Sequence, residues 1–344
     1  MSHNGLPPPG VPCTVSIPAR FDAFRIHNDD AGYRSGIEQV SLDDLAPGEV
    51  VIEAVHSSVN FKDALAGTGK GKILRRFPLV GGIDVAGHVV RSSDPAFREG
   101  DAVLVTGCGL SETRDGGYSR YVRLEAKWAI PLPAGLALRE SMILGTAGFT
   151  AALALFRMVE NRQRPEMGPL VVTGATGGVG SLAVAIFRKA GFEVHAVSGK
   201  ADQHDYLHGL GASEVLGRDA LATTRPMESA RFGGGLDNVG GPMLSSLLAQ
   251  TVPYGNVASA GLAASHALDA TVMPFIIRGV SLLGVASAGT ARDIREAVWQ
   301  HLASDWKPDH LERICTREVG LEGLPGVFET MLAGGSLGRT LVTL

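Results

Sequence analysis

Cysteine is scarce in this chain, which has three among 344 residues: Cys13, Cys108 and Cys315. Cysteines so few and so widely separated cannot supply a disulfide framework or a zinc lobe built from four thiolates. Because structural disulfides belong to oxidising compartments, their expected absence favours a reducing one, and we predict a cytoplasmic location.

Basic residues are also in the minority. Lysine and arginine total 31 against 35 acidic residues, a formal net charge of −4, which argues against nucleic acid as a partner. No apolar run approaches the roughly 18 residues of a membrane-spanning helix, so no membrane partner is expected. Residues 1–19 hold four prolines before Cys13 and no apolar core. They are predicted to form a flexible arm instead of a secretory signal.

Glycine is abundant, with 45 residues, and the residue pattern changes twice along the chain. Residues 20–140 contain short apolar runs separated by Gly, Pro and Asp, which predict a mostly β domain. Residues 141–280 alternate apolar strands with helical segments, a pattern typical of a doubly wound parallel sheet. Residues 281–344 return to a strand, a helix and a closing strand. The sequence therefore predicts an α/β fold with a Rossmann domain inserted in a mostly β domain.

A glycine-rich turn carries the clearest functional signal. The predicted strand Leu170–Thr173 runs into Gly174–Gly180 and then into a helix. Glycines there allow a tight turn and a close approach of the backbone to a pyrophosphate, and the N-terminus of the helix attracts phosphate. An ordinary turn is the alternative. We predict dinucleotide binding by four residues of this segment: Thr176, Gly177, Gly178 and Val179.

The end of the next predicted strand bears on the identity of the dinucleotide. NAD-binding proteins commonly place Asp or Glu about 20 residues after the glycines, where it accepts the ribose 2′-hydroxyl. This chain has Ser198, Gly199 and Lys200 there. A hydroxyl and an ammonium group suit a 2′-phosphate, so NADPH is the predicted cofactor. The alternative is that Lys200 is an exposed loop residue without a ligand.

Two segments of the predicted β domain, Ser57–Leu65 and Pro78–Gly87, resemble the medium-chain dehydrogenase/reductase superfamily. Its zinc alcohol dehydrogenases carry a Cys ligand in the first segment and a His-Glu pair in the second. Here those places hold Asn60, Ile83 and Asp84. The resemblance is therefore to the zinc-free reductases of the superfamily, and it implies no metal site.

Other segments narrow the resemblance to the acrylyl-CoA reductase family, and it extends from about Phe21 to Leu344. These segments are Asn60–Gly71, Arg75–Pro78, Gly81–Gly87, Leu144–Ala151, Val172–Gly180 and Thr271–Val280. The resemblance implies a GroES-like catalytic domain, residues 20–140 and 281–344, around a Rossmann NADPH-binding domain, residues 141–280. It also implies reduction of acryloyl-CoA to propionyl-CoA by hydride transfer to the β-carbon. A general quinone or enone reductase and a non-catalytic NADPH-binding protein are the alternatives.

The resemblance also implies site residues. Asn60 is expected nearest the nicotinamide, unless it only forms a turn, and Asp63 either holds Asn60 in place or starts a helix. Relatives often carry Tyr after this Asn, but this chain has Phe61. Phe61 can contact the cofactor but cannot donate a proton, so water or other groups near the substrate must supply it.

The remaining predicted site residues form two sets. The first is expected to contact the cofactor, with core packing as the alternative for its apolar members: Thr146, Thr150, Asn238, Leu262, Phe275, Ile276 and Ser287. The second is basic and is expected to bind phosphates of coenzyme A, unless these residues are simply solvated: Lys70, Lys72, Arg75, Arg76 and Arg339. Pairing of sheet edges between subunits in this superfamily also implies a homodimer.

Overall fold

Two sheets form the mostly β part of the protein in the computed structural model, which describes residues 17–344. The predicted arm therefore lies almost entirely outside the described residues. A small antiparallel sheet has the order β2-β1-β4, with β1 at Phe21–Asp29, β2 at Gly32–Val40 and β4 at Leu79–Val80.

A larger mixed sheet brings the two ends of the catalytic part together. Its order is β15-β16-β3-β5-β6-β8, and β7 pairs with β3. The strands are β3 (Val50–Val59), β5 (Asp84–Ser92), β6 (Ala102–Thr106), β7 (Tyr121–Leu124), β8 (Ile130–Pro131), β15 (Cys315–Val319) and β16 (Arg339–Thr343). Because β16 pairs antiparallel with β3, the start of β16 lies beside the end of β3.

A six-stranded parallel sheet forms the inserted domain, with the order β11-β10-β9-β12-β13-β14. Its strands are β9 (Leu170–Thr173), β10 (Val194–Val197), β11 (Glu214–Leu216), β12 (Phe232–Asp237), β13 (Thr251–Ser259) and β14 (Ser281–Gly284). This order is that of a Rossmann fold, as predicted. The sheet extends past the predicted domain boundary at residue 280, because β14 pairs in parallel with β13.

Helices cover the parallel sheet and fill the junction between the two parts. They are α1 (Phe61–Thr68), α2 (Leu138–Glu160), α3 (Gly178–Lys189), α4 (His204–Gly209), α5 (Gly241–Gln250), α6 (Met273–Arg278), α7 (Arg292–Ala303), α8 (Leu311–Ile314) and α9 (Leu324–Leu332). The largest apolar cluster contains residues of α2, α3, α7 and the parallel sheet, so one core continues across the predicted boundary at residue 141.

Helix α2 corrects the expectation that no apolar run in the sequence approaches the length of a membrane-spanning helix. Its 23 residues are long and apolar enough to cross a bilayer by length and composition. However, 78% of its most apolar 18-residue window is buried inside the protein, as in a core helix. The helix also bends at Gly145, where φ is 51° and ψ is −156°. This conformation is accessible to glycine and strained for other residues.

Candidate active site

A buried carboxylate, Asp84, lies at the point where the catalytic strands meet the bend of α2. Its Oδ2 accepts hydrogen bonds from Ser58 Oγ (2.6 Å), Asn60 Nδ2 (2.8 Å) and the Thr146 backbone N–H (3.0 Å). The Thr146 hydroxyl donates to Oδ1 at 2.5 Å. Asp84 is fully buried, so these donors replace the water that its charge would otherwise attract.

Arg339, the first residue of β16, supplies the opposite charge. Its Nη2 lies 3.8 Å from Asp84 Oδ2, and its side chain is 3% exposed. The guanidinium donates to Val59 O (2.8 Å), Ile143 O (3.0 Å), Asn60 Oδ1 (3.1 Å) and Ser58 Oγ (2.6 Å). The prediction that Arg339 binds a phosphate of the substrate is therefore corrected, because its guanidinium is buried and engaged within the protein.

Asp63 is the second buried carboxylate of this cluster. Its Oδ2 accepts the Asn60 backbone N–H at 2.8 Å and Asn60 Nδ2 at 3.2 Å, and its Oδ1 accepts the Ile83 N–H at 2.9 Å. Asp63 thus both holds Asn60 and stands in the first turn of α1. Burial, with a smaller contribution from the charge of Asp84, raises the pKa of Asp63 to about 7.

These contacts define what the Asn60 side chain can do. One amide N–H points to Asp84 and the other to Asp63, while the amide oxygen accepts from Arg339. A side-chain amide has two donor hydrogens, and both are used here. Asn60 therefore cannot also donate to a substrate oxygen, although its oxygen can accept one more hydrogen bond.

The glycine-rich turn lies directly beside this cluster. A Cβ atom at Gly178 would lie 3.2 Å from Cδ and Nη1 of Arg339, and one at Gly180 would lie 2.3 Å from Gly174 O. The Gly338 N–H donates to Thr176 O at 2.9 Å. The absence of side chains at Gly178 and Gly180 therefore lets the turn pack closely against Arg339 and against its own backbone, at the point where α3 begins.

Ser198 and Lys200 follow β10, as predicted. Ser198 is buried, and its Oγ accepts the Lys200 backbone N–H at 3.0 Å. Lys200 Nζ donates to Ser336 O at 2.7 Å, in the loop that precedes β16. The two residues lie at the carboxyl edge of the parallel sheet, where dinucleotides bind in this fold.

The other predicted cofactor residues occupy different surroundings. Asn238 lies next to the turn, since its Nδ2 donates to Thr173 O at 2.9 Å. The Thr150 hydroxyl donates to Thr146 O within α2. Phe275 packs against a buried cluster of the Rossmann domain, which fits the core alternative. Three residues are at least partly accessible: Leu262 (67% exposed), Ile276 (74% exposed) and Ser287, which is half-buried.

The predicted basic set lies outside the cluster, after α1. Lys70, Lys72, Arg75 and Arg76 are all exposed. Arg75 Nε lies 3.8 Å from Glu112 Oε1, and Arg76 Nη2 lies 3.9 Å from Asp115 Oδ2. Phe61, at the start of the same helix, is 53% exposed and accessible to a ligand.

Sequence reasoning did not assign Asp84 or Ser58 to the site. Ile83 and Asp84 stand where zinc alcohol dehydrogenases have a His-Glu pair. This difference was the feature of the sequence that could have drawn attention to Asp84. Ser58 carried no signal, because its contact with Arg339 depends on the pairing of β16 with β3. Within residues 17–344, no group of three His, Cys, Asp or Glu side chains is arranged to hold a metal ion.

Family models match both parts of the chain. The alcohol dehydrogenase GroES-like domain matches residues 46–134, and the zinc-binding dehydrogenase model matches residues 178–304. The acrylyl-CoA reductase AcuI of Ruegeria pomeroyi is 42% identical over 326 residues, which cover 94% of this chain and 98% of that protein. The chain belongs to the acrylyl-CoA reductase family. This confirms the predicted fold, the medium-chain dehydrogenase/reductase superfamily and the oxidoreductase class.

Two other members of this group differ in the cofactor they hold. The yhdH oxidoreductase of Salmonella enterica was solved in complex with NADP; it is 42% identical, has a TM-score of 0.91, and the match covers 94% of this chain and 99% of that one. Bacillus subtilis yhfP was solved with NAD bound, at 43% identity, with a TM-score of 0.91 and the same coverage. The predicted NADP cofactor thus agrees with the Salmonella relative.

Proposed function

We propose that this protein reduces acryloyl-CoA to propionyl-CoA with NADPH. The names of curated acrylyl-CoA reductases that match nearly the whole chain support this substrate. The observation that carries the proposal is the contact of Gly178 in the dinucleotide turn with Arg339, which itself holds Asn60. A cofactor whose pyrophosphate lies on this turn therefore has the buried cluster beside it.

NADPH would supply a hydride to the β-carbon, and the electron pair of the C=C bond would move to the thioester oxygen as an enolate. The conjugated thioester is already electrophilic, so the protein needs chiefly to position it and to stabilise the developing charge. Hydrogen bonds to Asp63, Asp84 and Arg339 hold the Asn60 side chain in one orientation beside the proposed substrate site. Because both of its N–H groups are occupied, the enolate oxygen must find its donors elsewhere.

The α-carbon must gain a proton to complete the reaction. Phe61 stands where relatives often have Tyr, and its phenyl ring has no proton to give. Since Phe61 is 53% exposed, its surroundings are open to solvent. We propose that water protonates the α-carbon.

The four exposed cations after α1 are proposed to bind the phosphates of coenzyme A. Lys70 and Lys72 are exposed, and Arg75 and Arg76 form only long contacts with carboxylates. Such side chains can reorient toward a phosphate at small cost, since surface ion pairs of this kind contribute little to stability.

A side-by-side assay tests the substrate. We expect NADPH oxidation with acryloyl-CoA to have a kcat/KM at least about 100-fold above that with free acrylate, because remote binding energy lowers the barrier. The double variant Lys70→Ala/Lys72→Ala should raise KM for acryloyl-CoA, whereas Lys127→Ala, an exposed lysine beside Glu125, should not. Equal rates with acryloyl-CoA and free acrylate would refute the proposal.

A general quinone reductase is the second candidate. It is favoured by the Bacillus subtilis relative YhfP, 46% identical over 94% of this chain, whose name places it provisionally among quinone oxidoreductases. The same assay with 1,4-benzoquinone decides between the two. A higher kcat/KM for the quinone than for acryloyl-CoA would favour this second function.

We also propose that the protein is a cytoplasmic homodimer. β14 forms the outer edge of the parallel sheet, and nearby α6 exposes Ile276 (74%) and Ile277 (59%). Tyr254, 75% exposed, adjoins the end of α6. Exposed apolar groups beside the outer strand of a sheet suit pairing with a second copy, and among residues 17–344 no strand pairs with the outer side of β14. Light scattering should give twice 35.9 kDa, and Ile276→Asp/Ile277→Asp should give a monomer; a monomeric parent protein would refute this.

A further inference from the structure

Arg295, on α7, is a buried cation whose side chain joins the two parts of the protein. The residue is 3% exposed. Its Nη1 donates to Thr106 O at 2.8 Å and to Thr106 Oγ1 at 3.2 Å, at the end of β6 in the catalytic part. Its Nη2 donates to Ser287 O at 2.8 Å and to Ala288 O at 3.4 Å, in the loop that follows β14 of the parallel sheet. One guanidinium therefore binds one segment from each part.

The surroundings of this guanidinium are neutral. The acceptors of its four hydrogen bonds are three backbone carbonyls and one hydroxyl. The Cζ atom of Arg295 lies 4.7 Å from the centroid of the Phe149 ring on α2, and burial lowers the pKa of Arg295. Neutral acceptors offset the desolvation of a buried charge less well than a carboxylate does. Stability alone therefore gives little reason for an arginine at this position.

The catalytic segment that Arg295 holds lies next to the buried cluster. Thr106 of β6 is paired with Asp84 of β5, the carboxylate that accepts a hydrogen bond from Asn60. Because Thr106 is the last residue of β6 and Asp84 the first of β5, a shift of the end of β6 would also shift Asp84. Arg295 thus acts on the cluster through the strand pair that carries it.

The other segment follows the carboxyl end of β14, at the edge of the parallel sheet where dinucleotides bind. The glycine-rich turn after β9 belongs to the first half of this sheet, so its second half, β12 to β14, faces the nicotinamide mononucleotide. Gly107 lies close to the same loop, since a Cβ atom there would lie 3.1 Å from Ala288 Cα. The two segments that Arg295 joins therefore lie on the two sides of the reactive end of the proposed site.

We propose that Arg295 is a positioning residue for hydride transfer, which fixes the distance between the nicotinamide and a substrate bound beside Asn60. The planar guanidinium can bind both segments at once, whereas lysine carries the same charge on a single nitrogen. A misplacement of about 1 Å between reacting groups can lower a rate about 100-fold. The inference rests on the proposed hydride transfer from NADPH, but not on which acceptor receives the hydride.

Single-turnover kinetics test this role in Arg295→Lys and Arg295→Met. NADPH oxidation is followed by stopped flow with whichever of acryloyl-CoA and 1,4-benzoquinone the parent protein reduces. NADPH deuterated at the transferred position confirms that the observed step is hydride transfer. We expect both variants to react about 10- to 100-fold more slowly than the parent protein. The dissociation constant of NADPH, from fluorescence titration, should be unchanged.

Arg292→Met is the matched control on the same helix. Arg292 is paired with Glu296 and donates to Lys127 O in the catalytic part, so its replacement also weakens the attachment of α7. Its single-turnover rate should equal that of the parent protein.

Hydrogen exchange gives a readout that needs neither substrate nor cofactor. Peptides that cover residues 285–290 should exchange faster in both Arg295 variants than in the parent protein and in Arg292→Met, because the loop loses its anchor. Exchange in β9 should be unchanged in all four proteins.

Three outcomes would overturn the proposal. A parental single-turnover rate with a smaller amplitude would mean that Arg295 only stabilises the fold, since unfolded protein lowers the amplitude and not the rate constant. A parental rate in Arg295→Lys would mean that the charge matters and the bridge does not. A loss confined to NADPH affinity would assign Arg295 to cofactor binding.

Two further results are provided for in this design. If Arg295→Met does not fold, Arg295→Lys decides, because it keeps the charge and most of the packing. If the parent protein reduces neither acceptor, the proposed function fails, and hydrogen exchange then decides whether Arg295 anchors the loop.

Discussion

Replacing Arg339 with glutamine tests the charge balance of the buried cluster. The guanidinium forms four hydrogen bonds and lies 3.8 Å from Asp84 Oδ2, and glutamine is too short and neutral to reproduce these contacts. Removing one partner of a buried ion pair costs about 3–5 kcal/mol, because the other charge remains buried without compensation. The free energy of unfolding should fall by that amount.

The same change can be expressed as a melting temperature. Unfolding entropy is about 2.1 cal/mol/K per residue, hence about 0.7 kcal/mol/K for a chain of this length. Arg339→Gln should therefore melt about 4–7 °C below the parent protein. Calorimetry of the protein without cofactor measures the shift, and Arg225→Gln, at an exposed ion pair, should leave the melting temperature nearly unchanged.

A double variant makes the prediction specific to charge. Adding Asp84→Asn to Arg339→Gln removes the unbalanced carboxylate, so the double variant should lose less stability than the two single variants combined. Additive losses, or a shift below about 1.5 °C in Arg339→Gln, would refute the reasoning that Arg339 compensates Asp84.

Two further predictions concern Asp63 and Gly180. Burial raises the pKa of Asp63 in the folded protein to about 7, from 3.8 for an unperturbed aspartate. The contribution of Asp63 to stability is therefore complete below pH 3.8 and is lost as pH rises through 7. Urea unfolding from pH 4 to pH 8 should therefore show a smaller fall in stability for Asp63→Asn than for the parent protein; parallel profiles would contradict this. Gly180→Ala places a methyl group 2.3 Å from Gly174 O, so NADPH titration should show binding at least about tenfold weaker, and unchanged binding would contradict the close packing.

Local features of the site could be predicted from the sequence, whereas its long-range contacts could not. The strand, glycine turn and helix around Gly174–Gly180 lie within one short stretch, so their order and spacing were enough to identify them. Arg339 and Asn60 are 279 residues apart, and their contact depends on the pairing of β16 with β3. The sequence shows a basic residue at the start of the last strand but gives no sign that this residue is buried.

Apolar residues at the predicted cofactor site show a related limit. Phe275 and Ile276 are neighbours on α6, yet Phe275 packs against the Rossmann core and Ile276 is exposed. The orientation of so short a helix depends on how it meets β13, which residue type alone does not determine. Helix α2, at Leu138–Glu160, spans the predicted domain boundary at residue 141.

The bend at Gly145 has an electrostatic consequence for Asp84. By interrupting α2, it creates a new helix start at Thr146, whose N–H lies 3.0 Å from Asp84 Oδ2. The N-terminus of a helix carries roughly half a positive charge from its aligned peptide dipoles. Asp84 is therefore neutralised jointly by a dipole from mid-chain and by an arginine from the last strand. Both contacts join segments that are far apart in the chain, so the full set of positive partners of Asp84 forms only after those segments have folded together.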